Sequence, residues 1–258
     1  MDLSGLFDVA GKTALVTGGS RGIGYMIAEG LLSAGARVFV CARKAAELRA
    51  ATERLSERGE CVGVQADLST AAGCAALVEA TSLHATQLNI LVNNAGITWG
   101  ARLDDYPREA FERVLTVNLT GPFDLIRMLL PLLRKAASAA DPARIINLSS
   151  TAGLSPPASE TFAYSTSKAG LVMLSRHLAR RLAPEMITVN TIAPGAFPSR
   201  MTAPYIRPDG SQSQWIIPLG RLGKPQDIAG AVIFLSSAAG AYLTGALLPV
   251  SGGMTTAD

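Results

Sequence analysis

Tyr164 and Lys168 stand four residues apart in the segment Y-S-T-S-K, and Ser150 ends the upstream segment I-N-L-S-S. On a helix, side chains spaced i and i+4 share a face, so the Lys168 ammonium can stand beside the Tyr164 phenol. An adjacent cation favours phenolate over phenol and is expected to lower Tyr164 from about 10 by about 1 to 3 pH units. Tyr164 then becomes a group that can give a proton to a carbonyl oxygen or take one from an alcohol, with Ser150 holding that oxygen. The pairing is not specific by itself, because the chain has five tyrosines and five lysines. Ser150 alone could equally be an N-cap or turn serine.

The context that gives the pair meaning is the glycine-rich turn T-G-G-S-R-G-I-G at Thr17 to Gly24. Gly18 can take the tight turn, and Gly22 can let backbone N–H groups approach a pyrophosphate. Gly24 allows a following helix to pack closely on the preceding strand. Ser20, Arg21 and Ile23 fill the turn between them. The spacing departs from G-x-G-x-x-G, but a strand before the turn and a helix after it support a nucleotide site. A bound dinucleotide supplies a hydride and Tyr164 supplies the proton, which together reduce a carbonyl.

Cofactor choice is read at the end of the second strand, where an acid would accept from the ribose 2′-OH of NAD. The segment V-F-V-C-A-R-K carries Arg43 and Lys44 there and no acid. Arg43, with Arg21 from the glycine turn, can pair with a 2′-phosphate, so NADPH is the expected cofactor. The plainer alternative is that Arg43 and Lys44 form a solvated helix start.

The elements that must position these residues follow from periodicity. Short β-branched apolar runs predict strands at Thr13–Thr17, Arg37–Cys41, Val62–Ala66, Ile90–Asn93, Arg144–Leu148, Thr188–Ile192 and Leu247–Val250. Helical stretches are expected at Gly22–Ala34, Ala45–Arg58, Thr70–Ala85, Pro107–Leu133, Phe162–Leu182 and Pro225–Leu235. The alternation implies a single-domain α/β fold: a Rossmann-like, doubly wound, seven-stranded parallel sheet with helices on both faces. Residues 196–219 contain several prolines that break regular structure, and they are expected to form a substrate lid.

Composition excludes other classes. A hydrophobic fraction of 48% over 258 residues suits a large packed core, and a net charge of +3 with scattered basic residues does not point to nucleic acid. No run is long and uncharged enough to span a membrane, and the acidic N-terminus is unlike a signal peptide, so a cytoplasmic protein is expected. Three cysteines without C-x-x-C spacing suggest neither disulfides nor zinc, and two histidines make a His-based triad or metal cluster improbable.

Several further segments occur in one order: A-D-L at Ala66 to Leu68, N-N-A-G at Asn93 to Gly96, V-N-L at Val117 to Leu119, and P-G at Pro194 and Gly195. With the glycine turn, S-S and Y-S-T-S-K, they resemble the short-chain dehydrogenase/reductase family from Lys12 to Gly253. The resemblance implies that Asn118 joins Ser150, Tyr164 and Lys168 as a fourth catalytic residue, holding a water through which Lys168 relays protons. It implies that Asp67 and Leu68 contact the adenine and that Asn94, Ala95 and Gly96 line the cofactor. It also implies that Pro194 and Gly195 border the nicotinamide and that Ser199 stands where a threonine often binds the carboxamide. Two departures are Ser251 in V-S-G-G, where V-D-G-G is common, and a Ser150 to Tyr164 spacing one residue longer than in many relatives.

Within the family the segments are most similar to 3-oxoacyl-[acyl-carrier-protein] reductases, including the branch associated with bacterial rhamnolipid synthesis. The expected reaction is reduction of a 3-oxoacyl thioester, carried by CoA or acyl carrier protein. Phe197, Met201, Tyr205, Ile206, Trp215, Ile216 and Ile217 of the lid could line an acyl channel or serve as packing. Alternatives are an alcohol, sugar-acid or cyclic-ketone dehydrogenase and, in another class, an NADPH-binding scaffold without turnover. The resemblance also implies a homotetramer or homodimer assembled through the helices at Pro107–Leu133 and Phe162–Leu182.

Overall fold

The computed structural model describes residues 5–200, 202–203 and 217–256. The expected lid residues Met201, Tyr205, Ile206, Trp215 and Ile216 lie outside them. Seven strands, β1 (Thr13–Thr17), β2 (Arg37–Ala42), β3 (Cys61–Gln65), β4 (Ile90–Asn93), β5 (Ala143–Leu148), β6 (Ile187–Pro194) and β7 (Leu247–Val250), form one sheet. Its order is β3-β2-β1-β4-β5-β6-β7, and all pairs are parallel. This is the doubly wound arrangement, whose direction of winding reverses between β1 and β4.

The helices are α1 (Gly22–Ser33), α2 (Ala45–Ser56), α3 (Ala71–His84), α4 (Arg108–Leu115), α5 (Gly121–Ala136), α6 (Phe162–Leu182) and α7 (Pro225–Ser236). Side chains alternate across each strand. Ala14 and Val16 therefore face a core layer with Ile27 and Leu31 of α1 and Ile228 and Val232 of α7. Leu15 faces the opposite layer with Leu77 of α3, Leu125 and Leu129 of α5, and Leu182 of α6. Strands covered on both faces explain why the central ones read as unbroken apolar runs.

The strands fall where periodicity places them, apart from end shifts such as the longer β6. The expected helix at Pro107–Leu133 differs in form. Between α4 and α5 lies a π-helical turn at Thr116–Thr120, in which the Gly121 N–H donates to the Thr116 carbonyl. Pro122, the next residue, has no N–H to give to the Asn118 carbonyl four residues before it. His84 and His177 are exposed, and Cys41, Cys61 and Cys74 are free. Burial pushes Cys41 up to about 12 and Cys61 and Cys74 up to about 11, so these thiols are inert. Among the described residues no helix is long and apolar enough to cross a membrane.

Candidate active site

A cleft opens at the carboxyl ends of β1 and β4, where an open α/β sheet binds its ligand. Gly18, Ser20, Arg21, Gly22, Ile23 and Gly24 form one wall. Arg43, Lys44, Asp67 and Leu68 line the end beyond β2 and β3, and Asn94, Ala95 and Gly96 line the floor beyond β4. Tyr164, Lys168, Pro194 and Ser199 close the other end. The structure thus brings most of the residues expected from sequence into one cavity.

The glycine turn is built as its residues require. Gly22 has φ of 56°, in the left-handed region. A Cβ on Gly24 would lie 2.4 Å from both the Asn94 Nδ2 and the Gly18 carbonyl oxygen, so only glycine admits this approach. Arg21, at the N-cap of α1, supplies no side-chain capping bond, which leaves the first-turn N–H groups available to an anion. Thr17 fastens the floor to the turn: its hydroxyl accepts from the N–H of Asn94 at 2.9 Å and of Ala95 at 3.0 Å.

Asp67 accepts from the N–H of Ser69 at 3.0 Å and from its hydroxyl at 2.8 Å. The backbone N–H leads in holding the Asp67 carboxyl below its usual range, with help from Arg43 and Arg113.

At the other end of the cleft, Tyr164 and Lys168 share a face of α6. The Lys168 Nζ lies 5.7 Å from the tyrosine ring centroid and donates to the Leu148 carbonyl at 2.7 Å. Burial pushes Lys168 down to about 8. The expectation that Lys168 lowers Tyr164 is not met: burial raises the phenol above its ordinary value, and a hydrogen bond with Ser150 opposes this only in part. The physical reason is that the ammonium is spent on Leu148 while the phenol loses solvation.

Ser150 takes the turn role considered for it. Its hydroxyl accepts from the Ala152 N–H at 3.2 Å, starting a short 3₁₀ turn, and its proximity works against the rise at Tyr164. Asn118 lies behind the floor, fully buried. Its Oδ1 accepts from the Ile97 N–H at 2.9 Å, and its Nδ2 donates to the Ile97 carbonyl and the Ser167 hydroxyl, each at 2.9 Å. A Cβ on Gly96 would stand 3.3 Å from Asn118 Oδ1 and 3.4 Å from Lys168 Nζ, so glycine there keeps the two residues in reach of one small space. Gly195 backs onto Ser251 and Met254; a Cβ on it would meet Met254 Sδ at 2.8 Å.

Sequence reasoning missed several contributors. Ser149 donates to the Lys168 carbonyl at 2.9 Å, tying the end of β5 to α6. Glu47 and Arg200 also line the cleft. Glu47 could have been suspected from its place in the first turn of α2, where an acid suits the helix dipole. Arg200 carries no local signal.

A Rossmann-type sheet whose switch-point cleft joins a glycine turn to a Ser/Tyr/Lys cluster defines a dinucleotide-dependent oxidoreductase. Residues 12–209 match the short chain dehydrogenase family. The chain is 51% identical over 252 residues to the rhamnolipids biosynthesis 3-oxoacyl-[acyl-carrier-protein] reductase of Pseudomonas aeruginosa, covering 96% of this chain and 97% of that protein. It is 36% identical over 248 residues to the 3-oxoacyl-[acyl-carrier-protein] reductase FabG of Vibrio harveyi, covering 96% and 98%. The solved Pseudomonas aeruginosa RhlG/NADP active-site complex superposes with a TM-score of 0.92 at 49% identity, covering 97% of this chain and 99% of that one. The chain belongs to the short-chain dehydrogenase family. It is an NAD(P)-dependent oxidoreductase acting on CH–OH or carbonyl groups.

Proposed function

We propose that this oxidoreductase uses NADPH to reduce a 3-oxoacyl thioester, carried by acyl carrier protein or CoA, to the 3-hydroxyacyl form. The observation that carries the reading is Tyr164 set beside Lys168 at one end of a cleft whose other end is rich in Arg and Lys. Arg21, Arg43 and Lys44 suit a 2′-phosphate, and the similar solved protein is an NADP complex. The glycine turn and the open N-terminus of α1 suit the pyrophosphate.

The cofactor supplies a hydride when bound. Ser150 orients the substrate oxygen, and Tyr164 delivers its proton to that oxygen. Its raised value keeps the phenol protonated and ready to donate. Lys168 holds positive charge near the phenol, and Asn118 anchors the relay through which Tyr164 is reprotonated. Pro122 leaves the Asn118 carbonyl without its helical donor, which suits that carbonyl to hold a water.

An exposed apolar cluster near Tyr164 suits the acyl reading. Tyr106 packs edge-on against Phe162 with centroids 5.6 Å apart and donates its hydroxyl to the Trp99 carbonyl at 3.1 Å. Phe162 stands two residues before Tyr164, and Trp99, Leu154 and Phe162 are exposed. Phe123 on α5 and Met173 on α6 are also exposed, as an oligomer built through those helices requires.

The test is NADPH oxidation by purified protein against 3-oxoacyl thioesters, with sugar acids and cyclic ketones as the competing panel. Thioesters are expected to be the better substrates; a preference for the panel overturns the assignment. Tyr164→Phe is expected to lower kcat by about 10² to 10⁴, and full activity would remove Tyr164 as the acid.

A further inference from the structure

Three cations converge on one carboxylate at the edge of the cleft. Glu47 accepts from Arg21 of the glycine turn at 3.1 Å, from Lys44 at 3.3 Å, and from Arg200 at 3.0 Å. Arg200 reaches Glu47 from the loop that follows β6, 153 residues away in sequence. That loop is seated on the glycine turn: a Cβ on Gly22 would lie 3.4 Å from the Cβ of Ser199. All four charged residues line the same cavity, together with Arg43.

Fold stability does not account for this convergence. The Arg21, Lys44 and Arg200 side chains are at least half exposed, and exposed ion pairs contribute little. One carboxylate also cannot saturate two guanidinium forks and an ammonium. A phosphate monoester can, because it carries three acceptor oxygens and a charge approaching −2 near neutral pH.

We propose that Arg200 is a specificity-determining ligand of the cofactor's 2′-phosphate, and that Glu47 is the internal counter-ion from which the phosphate takes it. The inference rests on the NADPH reading above. Arg200 then adds a guanidinium from the far side of the cleft to those of Arg21 and Arg43, and phosphate recognition reaches the loop that adjoins the substrate region. Glu47 keeps the cations gathered before the cofactor arrives, and it competes with the phosphate for them.

Calorimetric titration of the full-length protein with NADP+ and with NAD+ tests this, with thermal melting to verify that each variant is folded. Arg200→Gln is expected to weaken NADP+ binding by about ten- to a hundredfold, the usual range for a lost charge-assisted contact, and to leave NAD+ binding unchanged. Arg200→Lys is expected to recover part of the NADP+ affinity, since it keeps the charge without the fork. Glu47→Gln is expected to tighten NADP+ binding several-fold and not NAD+ binding. Equal effects of Arg200→Gln on both cofactors, or no effect, overturn the role of Arg200. Weaker NADP+ binding by Glu47→Gln overturns that of Glu47. A wild-type protein that does not prefer NADP+ overturns the NADPH reading itself, and this shows before any variant is made.

Discussion

Lys168 is 4% exposed, and the energy of removing its charge from water is the cause of its displacement from 10.5 to about 8. Two consequences follow from the sign of that shift. In the proposed mechanism the protonated form supplies the positive charge beside Tyr164, so kcat/KM for reduction is expected to be level at neutral pH and to fall as pH rises through about 8. Initial rates across pH check this, and Lys168→Arg should move the limb to higher pH because the guanidinium keeps its proton. A limb that stays in place excludes Lys168 as its source. Between about 8 and 10.5 the unfolded chain binds a proton that the folded chain does not, so stability rises with pH through that window. Urea midpoints of the wild type and Lys168→Met across the window check this, since the variant lacks that slope. The spacing of Tyr164 and Lys168 was legible in the sequence. The direction of the Tyr164 shift was not, because desolvation and the Leu148 carbonyl depend on what packs around the pair.

The element that positions Asn118 is the π turn between α4 and α5. A periodicity reading gives one continuous helix there, since the apolar pattern runs through the turn and a π turn adds a residue without breaking the run. Pro122 follows the turn and, lacking an N–H, cannot donate to the Asn118 carbonyl, a feature visible in the sequence. Pro122→Ala restores that donor and lets the turn relax toward α-helix. The expected result is a kcat lower by roughly ten- to a hundredfold from displacement of the proposed relay, with NADP+ affinity unchanged by calorimetry. An unaltered kcat would take the Asn118 carbonyl out of the relay. Thr17 and Ser149 act at the same scale: each uses one hydroxyl to fasten the end of a strand to the segment that carries site residues.

Across the whole molecule, β5 joins two ends with different tasks. At its carboxyl end the Leu148 carbonyl holds Lys168. At its amino end Arg144, 1% exposed, ties the sheet to the end of α7, donating to the carbonyls of Leu235 and Ser237 at 3.1 Å each and to that of Pro142. Asp141 neutralises it and also accepts from Lys12 at 2.7 Å. Arg144→Met leaves those buried carbonyls without their donor and is expected to cost about 1 to 3 kcal/mol for each carbonyl left unpaired. Denaturant unfolding measures that loss, and the folded fraction should bind NADP+ as the wild type does because the cleft lies at the opposite end of the sheet.

The amino-acid sequence by itself determined the alternation of strands and helices, the glycine turn and the four-residue spacing of Tyr164 and Lys168. These are properties of neighbouring residues, set by side-chain periodicity and by which φ values glycine permits. Only the tertiary structure decided which way the phenol shifts, how Asn118 is clamped to Ile97, and that Arg200 meets Glu47. Each of those depends on burial or on contact between residues distant along the chain, and both exist only once the sheet has brought its strand ends together.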